Sequence, residues 1–86
     1  MKKRSFFQVK ANIKVTPGQM LRTIRELQGL SQKELADKTG MTQSNISALE
    51  TDARQIGRER ALVLAKALKV HPAVILFPDY SIEEAA

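Results

Sequence analysis

Amide and hydroxyl side chains are concentrated in one short stretch of the chain, residues 43–47, which reads QSNIS. Ile46 and Leu49 fall at helical spacing here and would face inward, so the polar side chains would share the outward face. An amide can pair bidentately with N6 and N7 of adenine, and a hydroxyl can bond to several bases. The stretch therefore predicts a helix that hydrogen-bonds to base edges through its polar side chains: Gln43, Ser44, Asn45 and Ser47.

The residues before this stretch predict the elements that would position it. Leu35 and Ala36 would lie on the inward face of a preceding helix, where the small Ala36 permits a close approach between helices. Gly40 can adopt the positive φ that ends a helix. Residues 32–51 thus predict a helix-turn-helix, whose second helix, residues 42–51, would enter the major groove of DNA.

Local signals also predict where each helix begins. The expected N-caps of the first three helices are hydroxyl residues: Thr16, Ser31 and Thr42. In the first two cases a glutamine or glutamate follows three residues later and completes a capping box. Gly29 should end the first helix. A loop over residues 51–57 should precede a fourth helix over about residues 58–69. A short fifth helix should begin at Pro72, with His71 as its cap or as a surface residue.

The expected core consists of apolar residues at helical spacing. The first helix would contribute Met20, Leu21, Ile24 and Leu27. The fourth helix would contribute Leu62, Leu64, Ala65 and Leu68. Residues 73–77, which read AVILF, would close the core.

The composition limits the chemistry that the chain can perform. Eighty-six residues suit one small domain with a thin core. The sequence has no cysteine and only one histidine, His71, so disulfides, thiolate or histidine metal sites and nucleophile–base pairs are not expected. No apolar run reaches the ~18–20 residues that a membrane span requires. We expect a cytoplasmic protein that contacts no membrane, is not an enzyme and binds no metal or cofactor.

The positive charge of the chain lies at its N-terminus. Of 14 basic residues, five lie in residues 1–15, where there is no acidic residue. The other nine basic residues are balanced by the nine acidic residues of the chain. The charge therefore favours a basic N-terminal arm rather than a basic domain.

Residues 7–15 alternate between apolar and polar side chains, which predicts a half-buried β-strand. Its apolar face would consist of Phe7, Val9, Ala11, Ile13 and Val15. A single strand needs a partner for its backbone groups, either the same strand of a second subunit or a sheet edge of another protein. The chain would then divide into an arm and strand (1–15), a helical domain (16–78) and an acidic flexible tail (79–86).

The stretch IRELQGLSQKELADKTGMTQSNISALE, continued by AKALKVHPAVILF, resembles the Cro and phage-repressor (Xre-type) helix-turn-helix family. The resemblance covers roughly residues 17–77, and SQKELA, the turn Gly40, ISALE and ALKV all fall at the family's spacing. It implies an all-α DNA-binding domain of five short helices, to which the N-terminal strand would be added. It also implies a bacterial, phage or plasmid origin.

The resemblance assigns roles to individual residues. Gln32 looks like the family's glutamine that contacts a phosphate and braces the first residues of the recognition helix. Gln43 and Ser44 match the first exposed positions of that helix. Arg54 and Arg58 match positions that touch the DNA backbone or the adjacent minor groove.

Other family positions have a structural role or depart from the pattern. Arg25 and Glu50 match residues that form an ion pair between the first helix and the end of the third. The Asn-Gly or similar pair that usually follows this glutamate is replaced by Thr51 and Asp52, although aspartate tolerates the left-handed conformation better than most residues. The recognition helix has no lysine or arginine, so arginine cannot read guanine from its first turns.

Three biological roles are compatible with these residues. The first is a repressor that binds a palindromic operator as a homodimer, with half-sites about 34 Å apart. The second is an antitoxin that neutralises a toxin protein and autoregulates its operon, with the N-terminal strand as the toxin contact. The third, a protein-interaction scaffold that does not bind DNA, is disfavoured by the polar outward face of the recognition helix.

Overall fold

The computed structural model describes residues 15–79, and these fold into five helices. They are α1 (Pro17–Leu27), α2 (Gln32–Thr39), α3 (Gln43–Glu50), α4 (Arg58–Leu68) and α5 (Pro72–Leu76). The all-α, five-helix prediction is therefore confirmed. The predicted strand, apart from Val15, and the tail from residue 80 lie outside the described residues. None of these five helices combines the length and the hydropathy that crossing a bilayer requires.

The first two helices begin at the predicted capping boxes. The Thr16 hydroxyl accepts a hydrogen bond from the Gln19 N–H at 3.1 Å, and the Gln19 side chain accepts one from the Thr16 N–H at 3.1 Å. Ser31 and Glu34 form the same reciprocal pair at the start of α2, at 2.9 and 2.7 Å. Both capping boxes are confirmed, and each satisfies N–H groups that the helix itself leaves without a partner.

The second capping box depends on the charge of Glu34. The hydrogen bond from the Ser31 backbone N–H lowers the pKa of this carboxyl, and the Ser31 hydroxyl adds to the effect. Since the charged form is the favoured one, the stabilisation is complete above the ordinary pKa of 4.5. It is lost as the pH falls through the lowered pKa of the folded state. At neutral pH the start of α2 therefore has its full cap.

The later helices differ in how their first turns are capped. The Thr42 hydroxyl accepts a hydrogen bond from the Asn45 N–H at 3.1 Å, and His71 Nδ1 accepts one from the Ala73 N–H at 3.0 Å. Both predicted caps are thus confirmed. The N-cap of α4 is Gly57, which has no side chain to accept a hydrogen bond.

The core lies where the inward faces of all five helices meet. Each of its apolar residues is less than one-tenth exposed: Leu21, Ile24, Leu35, Ala36, Ile46, Leu49, Ala61, Leu64, Ala65, Leu68 and Ile75. In α4 the buried positions follow the i, i+3, i+4, i+7 spacing of a single helix face. Leu30 and Met41, which immediately precede the N-caps of α2 and α3, are partly buried against this core.

Two leucines predicted to be buried are exposed, and in both cases the buried face is rotated from the predicted one. Leu27 is 81% exposed, because the buried stripe of α1 passes through Leu21, Ile24 and Arg25 instead. Leu27 is two positions beyond Arg25, which turns it about 200° away around the helix. Leu62 is 51% exposed, because the neighbouring Ala61 occupies the inward position of α4.

The prediction that residues 73–77 close the core holds for one residue only. Ile75 is fully buried, whereas Val74 is 41% and Phe77 61% exposed. A helix of five residues completes little more than one turn, so it presents few side chains to the interior. The helix therefore leaves apolar surface exposed beside α4.

The first turn of α1 packs against the end of α3 so closely that there is no room for a side chain. Gly18 is buried, and a Cβ atom there would overlap the Leu49 carbonyl oxygen and lie 2.9 Å from that of Glu50. These carbonyls form the negative end of α3, and they face the positive end of α1. Glycine at this position thus allows α3 to contact the start of α1 directly.

We predict that Gly18→Ala lowers the free energy of unfolding by about 1–3 kcal/mol, because the new methyl group must push α1 away from the backbone of α3. Urea denaturation measures the change. Gly57→Ala is the matched control, since nothing lies within 4 Å of a Cβ atom at that position. Because alanine is a poorer N-cap than glycine, the control should lose up to about 1 kcal/mol, which is less than the loss in Gly18→Ala. Equal losses in the two variants would contradict the proposed close contact.

Candidate nucleic-acid interface

The structure places α2 and α3 on either side of a tight turn, as the sequence predicted. Gly40 ends α2 with φ 76°, a left-handed conformation that glycine adopts without steric cost. The Thr39 hydroxyl also contributes, accepting a hydrogen bond from the Met41 N–H at 3.3 Å. Thr42 then caps α3, and Thr51 is its C-cap, so the predicted bounds of this helix are confirmed.

The inward face of α3 determines which side chains face solvent. Ile46 and Leu49 are fully buried in the core. Gln43 and Ser44, in the first turn, are exposed, whereas Asn45 and Ser47 are half-buried. Within the described residues, none of these four side chains forms a hydrogen bond to another group of the chain. The first turn of α3 therefore presents an amide and a hydroxyl that are free to bind a ligand.

The other end of α3 is fixed by the buried carboxylate of Glu50. Arg25 Nε donates a hydrogen bond to Glu50 Oε2 at 2.6 Å, and Arg25 Nη2 donates one to Glu50 Oε1 at 3.0 Å. Arg25 Nη1 donates to the Leu30 carbonyl oxygen at 2.7 Å. Gln32 Nε2 adds a further hydrogen bond to Glu50 Oε1 at 3.1 Å. The Arg25–Glu50 pair, together with Gln32, thus links α1, the loop after it and the first residue of α2 to the end of α3.

The geometry of this pair explains how two charges are accommodated in the interior. Arg25 is 8% and Glu50 5% exposed, so both have lost most of their hydration. The planar guanidinium binds both carboxylate oxygens, which is the arrangement that best offsets desolvation. The hydrogen bond to Glu50 raises the pKa of Arg25, which consequently remains charged throughout the working pH range. The structure therefore contains the ion pair that the sequence resemblance implied.

Gln32 differs in one respect from the role expected of it. It was predicted to brace the first residues of α3, but its amide donates to Glu50, the last residue of that helix. The reason is that the start of α2 lies beside the buried ion pair, where an oxygen acceptor is available. The side chain remains only half-buried. Its contact with a phosphate is still a prediction.

Arg54 and Arg58 lie beyond the end of α3, and both are exposed. Arg54 is held by its backbone, because its N–H donates to the Ala48 carbonyl oxygen at 3.1 Å. Arg58 is the first residue of α4, next to the N-cap Gly57, which has no side chain to accept a hydrogen bond. Neither guanidinium lies within 4 Å of a carboxylate of residues 15–79. Both are therefore available to an anionic ligand.

Asp52 has a role in this region that the sequence did not predict. The expected tolerance of a left-handed backbone agrees with the observed φ of 64°. The Asp52 carboxylate also reaches α1, where it accepts hydrogen bonds from the Thr16 hydroxyl at 2.6 Å and the Gly18 N–H at 3.1 Å. These partners are 36 and 34 residues away in the sequence, so no local pattern indicates the contact.

Comparison with known families agrees with this arrangement. A helix-turn-helix family profile matches residues 21–75, which is most of the chain. The chain belongs to the helix-turn-helix family. The resemblance identified from SQKELA, Gly40 and ISALE is thereby confirmed, and the matched helix-turn-helix region contains α2, α3 and the Arg25–Glu50 pair.

Solved helix-turn-helix structures have the same fold. The P22 c2 repressor in complex with synthetic operator 9T superposes with a TM-score of 0.70 at 26% identity, over 74% of this chain and 97% of that one. The restriction-modification controller protein C.AhdI from Aeromonas hydrophila superposes with a TM-score of 0.67 at 35% identity, over 70% of this chain and 91% of that one.

A curated sequence relative shares only the helix-turn-helix part. The uncharacterised HTH-type transcriptional regulator y4dL of Sinorhizobium fredii is 38% identical over 60 residues. The match covers 70% of this chain but 30% of the relative. The similarity thus concerns one domain of a longer protein.

We predict that Arg25→Met lowers the free energy of unfolding by about 3–5 kcal/mol, because it leaves the buried Glu50 carboxylate without its partner. The double variant Arg25→Met with Glu50→Leu should recover much of this loss, since both charges are then removed. Asp37→Ala serves as the control, because it breaks an exposed pair with Lys33 and should change stability by only about 0.5 kcal/mol. Denaturant unfolding distinguishes the variants, and a loss for Arg25→Met no larger than that of the control would contradict this assignment.

Proposed function

We propose that this protein is a sequence-specific regulator of transcription that reads double-stranded DNA with the first turn of α3. The observation that carries the proposal is the contrast between the two ends of this helix. Its far end is fixed by the buried pair of Arg25 and Glu50. Its first turn presents the side chains of Gln43 and Ser44 to solvent. A rigid helix whose leading side chains are free is what reading a groove requires.

In the proposed complex α3 lies in the major groove and its surroundings contact the backbone. Gln43 and Ser44 pair with base edges, and the half-buried Asn45 and Ser47 border the same surface. Thr42 lies at the groove edge, where its hydroxyl already serves as the cap of α3. Other groups bind phosphate oxygens: the amide of Gln32, the guanidinium groups of Arg54 and Arg58, and the uncapped first turn of α4.

The chemistry of α3 favours adenine over guanine in the recognised sequence. Gln43 carries the amide that suits N6 and N7 of adenine. The helix has no arginine, the side chain that most commonly recognises guanine. We therefore expect adenine-rich half-sites.

Related proteins support a regulatory role. The P22 c2 repressor was solved with operator DNA, and C.AhdI is a controller protein of a restriction-modification system. Repression, in which the bound protein blocks a promoter, is the form that we propose for this chain. Such a regulator would act in the bacterial cytoplasm. The antitoxin alternative depends on the strand over residues 7–15, of which the structure describes only Val15, and none of these relatives favours it.

A regulator of this type reads a palindromic operator as a symmetric dimer, and we propose that this chain does so. Deleting residues 1–15 should shift the protein towards monomer in sedimentation experiments, because the predicted strand pairs with that of a second copy. An unchanged dimer would place the interface elsewhere. The exposed apolar side chains of α4 and α5, among them Leu62, Val74 and Phe77, would be the surface to examine.

The reading surface is tested by Gln43→Ala and Ser44→Ala. Each variant should weaken specific binding by about ten- to a hundredfold, because one good base contact contributes ~1–3 kcal/mol of discrimination. Binding to a scrambled duplex and the unfolding midpoint should hardly change, since both side chains are exposed. Thr23→Ala, at an exposed position of α1, is the control and should leave specific binding intact. If Gln43→Ala binds the selected DNA as tightly as the wild type, α3 does not read bases in this way.

A further inference from the structure

Asp52 makes contacts that its turn does not require. It follows the C-cap of α3 with φ 64°, a position where glycine is the residue with least strain. The hydrogen bonds that close the turn do not involve the Asp52 side chain: Asp52 N–H donates to the Leu49 oxygen at 3.3 Å, Arg54 N–H to the Ala48 oxygen at 3.1 Å, and the Thr51 hydroxyl to the Ala48 oxygen at 3.3 Å. Glycine would therefore form the same turn. The aspartate side chain is therefore free to bind groups outside the turn.

The Asp52 side chain accepts hydrogen bonds from the start of α1. Oδ2 of Asp52 accepts the Thr16 hydroxyl proton, and Oδ1 accepts the Gly18 N–H. Thr16 at the same time accepts the Gln19 N–H, and Met20 N–H donates to the Thr16 carbonyl oxygen. The backbone N–H groups in the first turn of α1 thus all have acceptors within the chain, and a carboxylate lies at the positive end of the helix. The start of α1 has no N–H left for a DNA phosphate.

This contact forms a second connection between α1 and the end of α3. The first, between Arg25 and Glu50, lies two turns further along α1. The two helices also pack through the core, and two separated polar connections restrict the angle between them more tightly than one connection does. Gly18 belongs to the Asp52 connection through its N–H, and the absence of a side chain there lets the helices touch.

We propose that Asp52 is a positioning residue for DNA reading, which sets the angle at which α3 projects and hence the bases that Gln43 reaches. The inference rests on the proposed function. Asp52 and Thr16 are near the surface, so the contact has little part in holding the core together. Its loss should therefore impair recognition more than stability.

Two substitutions distinguish the effect of the Asp52 contact from the effects of its charge and of its backbone conformation. Asp52→Gly and Asp52→Asn remove the same charge, and both residues tolerate the left-handed conformation. Asparagine keeps an oxygen for the Gly18 N–H and an N–H that the Thr16 hydroxyl can accept, whereas glycine keeps neither. Any difference between the two variants therefore reports the contact itself.

The first readout is binding to a duplex that the wild type selects from a random-sequence pool, with a scrambled duplex for comparison. Asp52→Gly should lower the ratio of specific to non-specific affinity about tenfold, which is the loss expected when one base contact is poorly formed. Asp52→Asn should restore most of that ratio. If the contact only stabilised the fold, Asp52→Gly would lower the unfolding midpoint and leave the affinity ratio of the folded protein unchanged.

The second readout needs no DNA. Residual dipolar couplings of the amides in α1 and α3 give the angle between the helices. This angle should change in Asp52→Gly and stay at the wild-type value in Asp52→Asn. The same angle and the same affinity ratio in both variants would overturn the proposal. If the wild type selects no sequence, the proposed function fails, while the helix angle still decides the role of Asp52.

Discussion

The structure depends on the buried carboxylate of Glu50. This residue ends α3, the helix whose polar side chains face solvent. Glu50 lies at the negative end of α3, where a carboxylate is electrostatically unfavourable, and it is almost completely removed from water. It is stable there because Arg25 binds both its oxygens and Gln32 donates a further hydrogen bond. The same arginine binds the loop before α2 through the Leu30 carbonyl oxygen. Arg25, Leu30 and Gln32 are neighbours in sequence, whereas Glu50 lies 18 residues beyond Gln32. These contacts can form together only in the native arrangement, so they specify how the end of α3 is placed.

This arrangement separates the residues that fold the domain from those that are available to a ligand. The inward side of α3, with Ile46 and Leu49, packs into the core, and its last residue is fixed by charge. Gln43 and Ser44 take no part in either interaction, since both are exposed. Their side chains could change without disturbing the core. A helix held in this way keeps its position when those exposed side chains are substituted.

Features encoded by neighbouring residues were predictable from the sequence, and features that depend on distant segments were not. Capping boxes, Gly40 and the i, i+3, i+4 spacing are local, and they gave the helix bounds and most of the core. Leu27 and Leu62 were misplaced because a spacing of apolar residues leaves the rotation of the helix uncertain by one position. The two bonds of Asp52 to α1 span more than 30 residues, so sequence spacing could not reveal them. The Arg25–Glu50 pair was anticipated only through the family resemblance, because nothing local couples residues 25 apart.

The most direct test of DNA reading by α3 is a salt titration of binding to a duplex selected from a random pool, alongside a scrambled duplex of the same length. Specific recognition predicts that the selected duplex binds about 10³-fold or more tightly at physiological salt. Both affinities should fall with salt, with a logarithmic slope of about 0.9 for each phosphate neutralised by a basic side chain. Equal, weak and salt-sensitive binding to the two duplexes would contradict the account, because it would show that the chain senses only the charge of DNA.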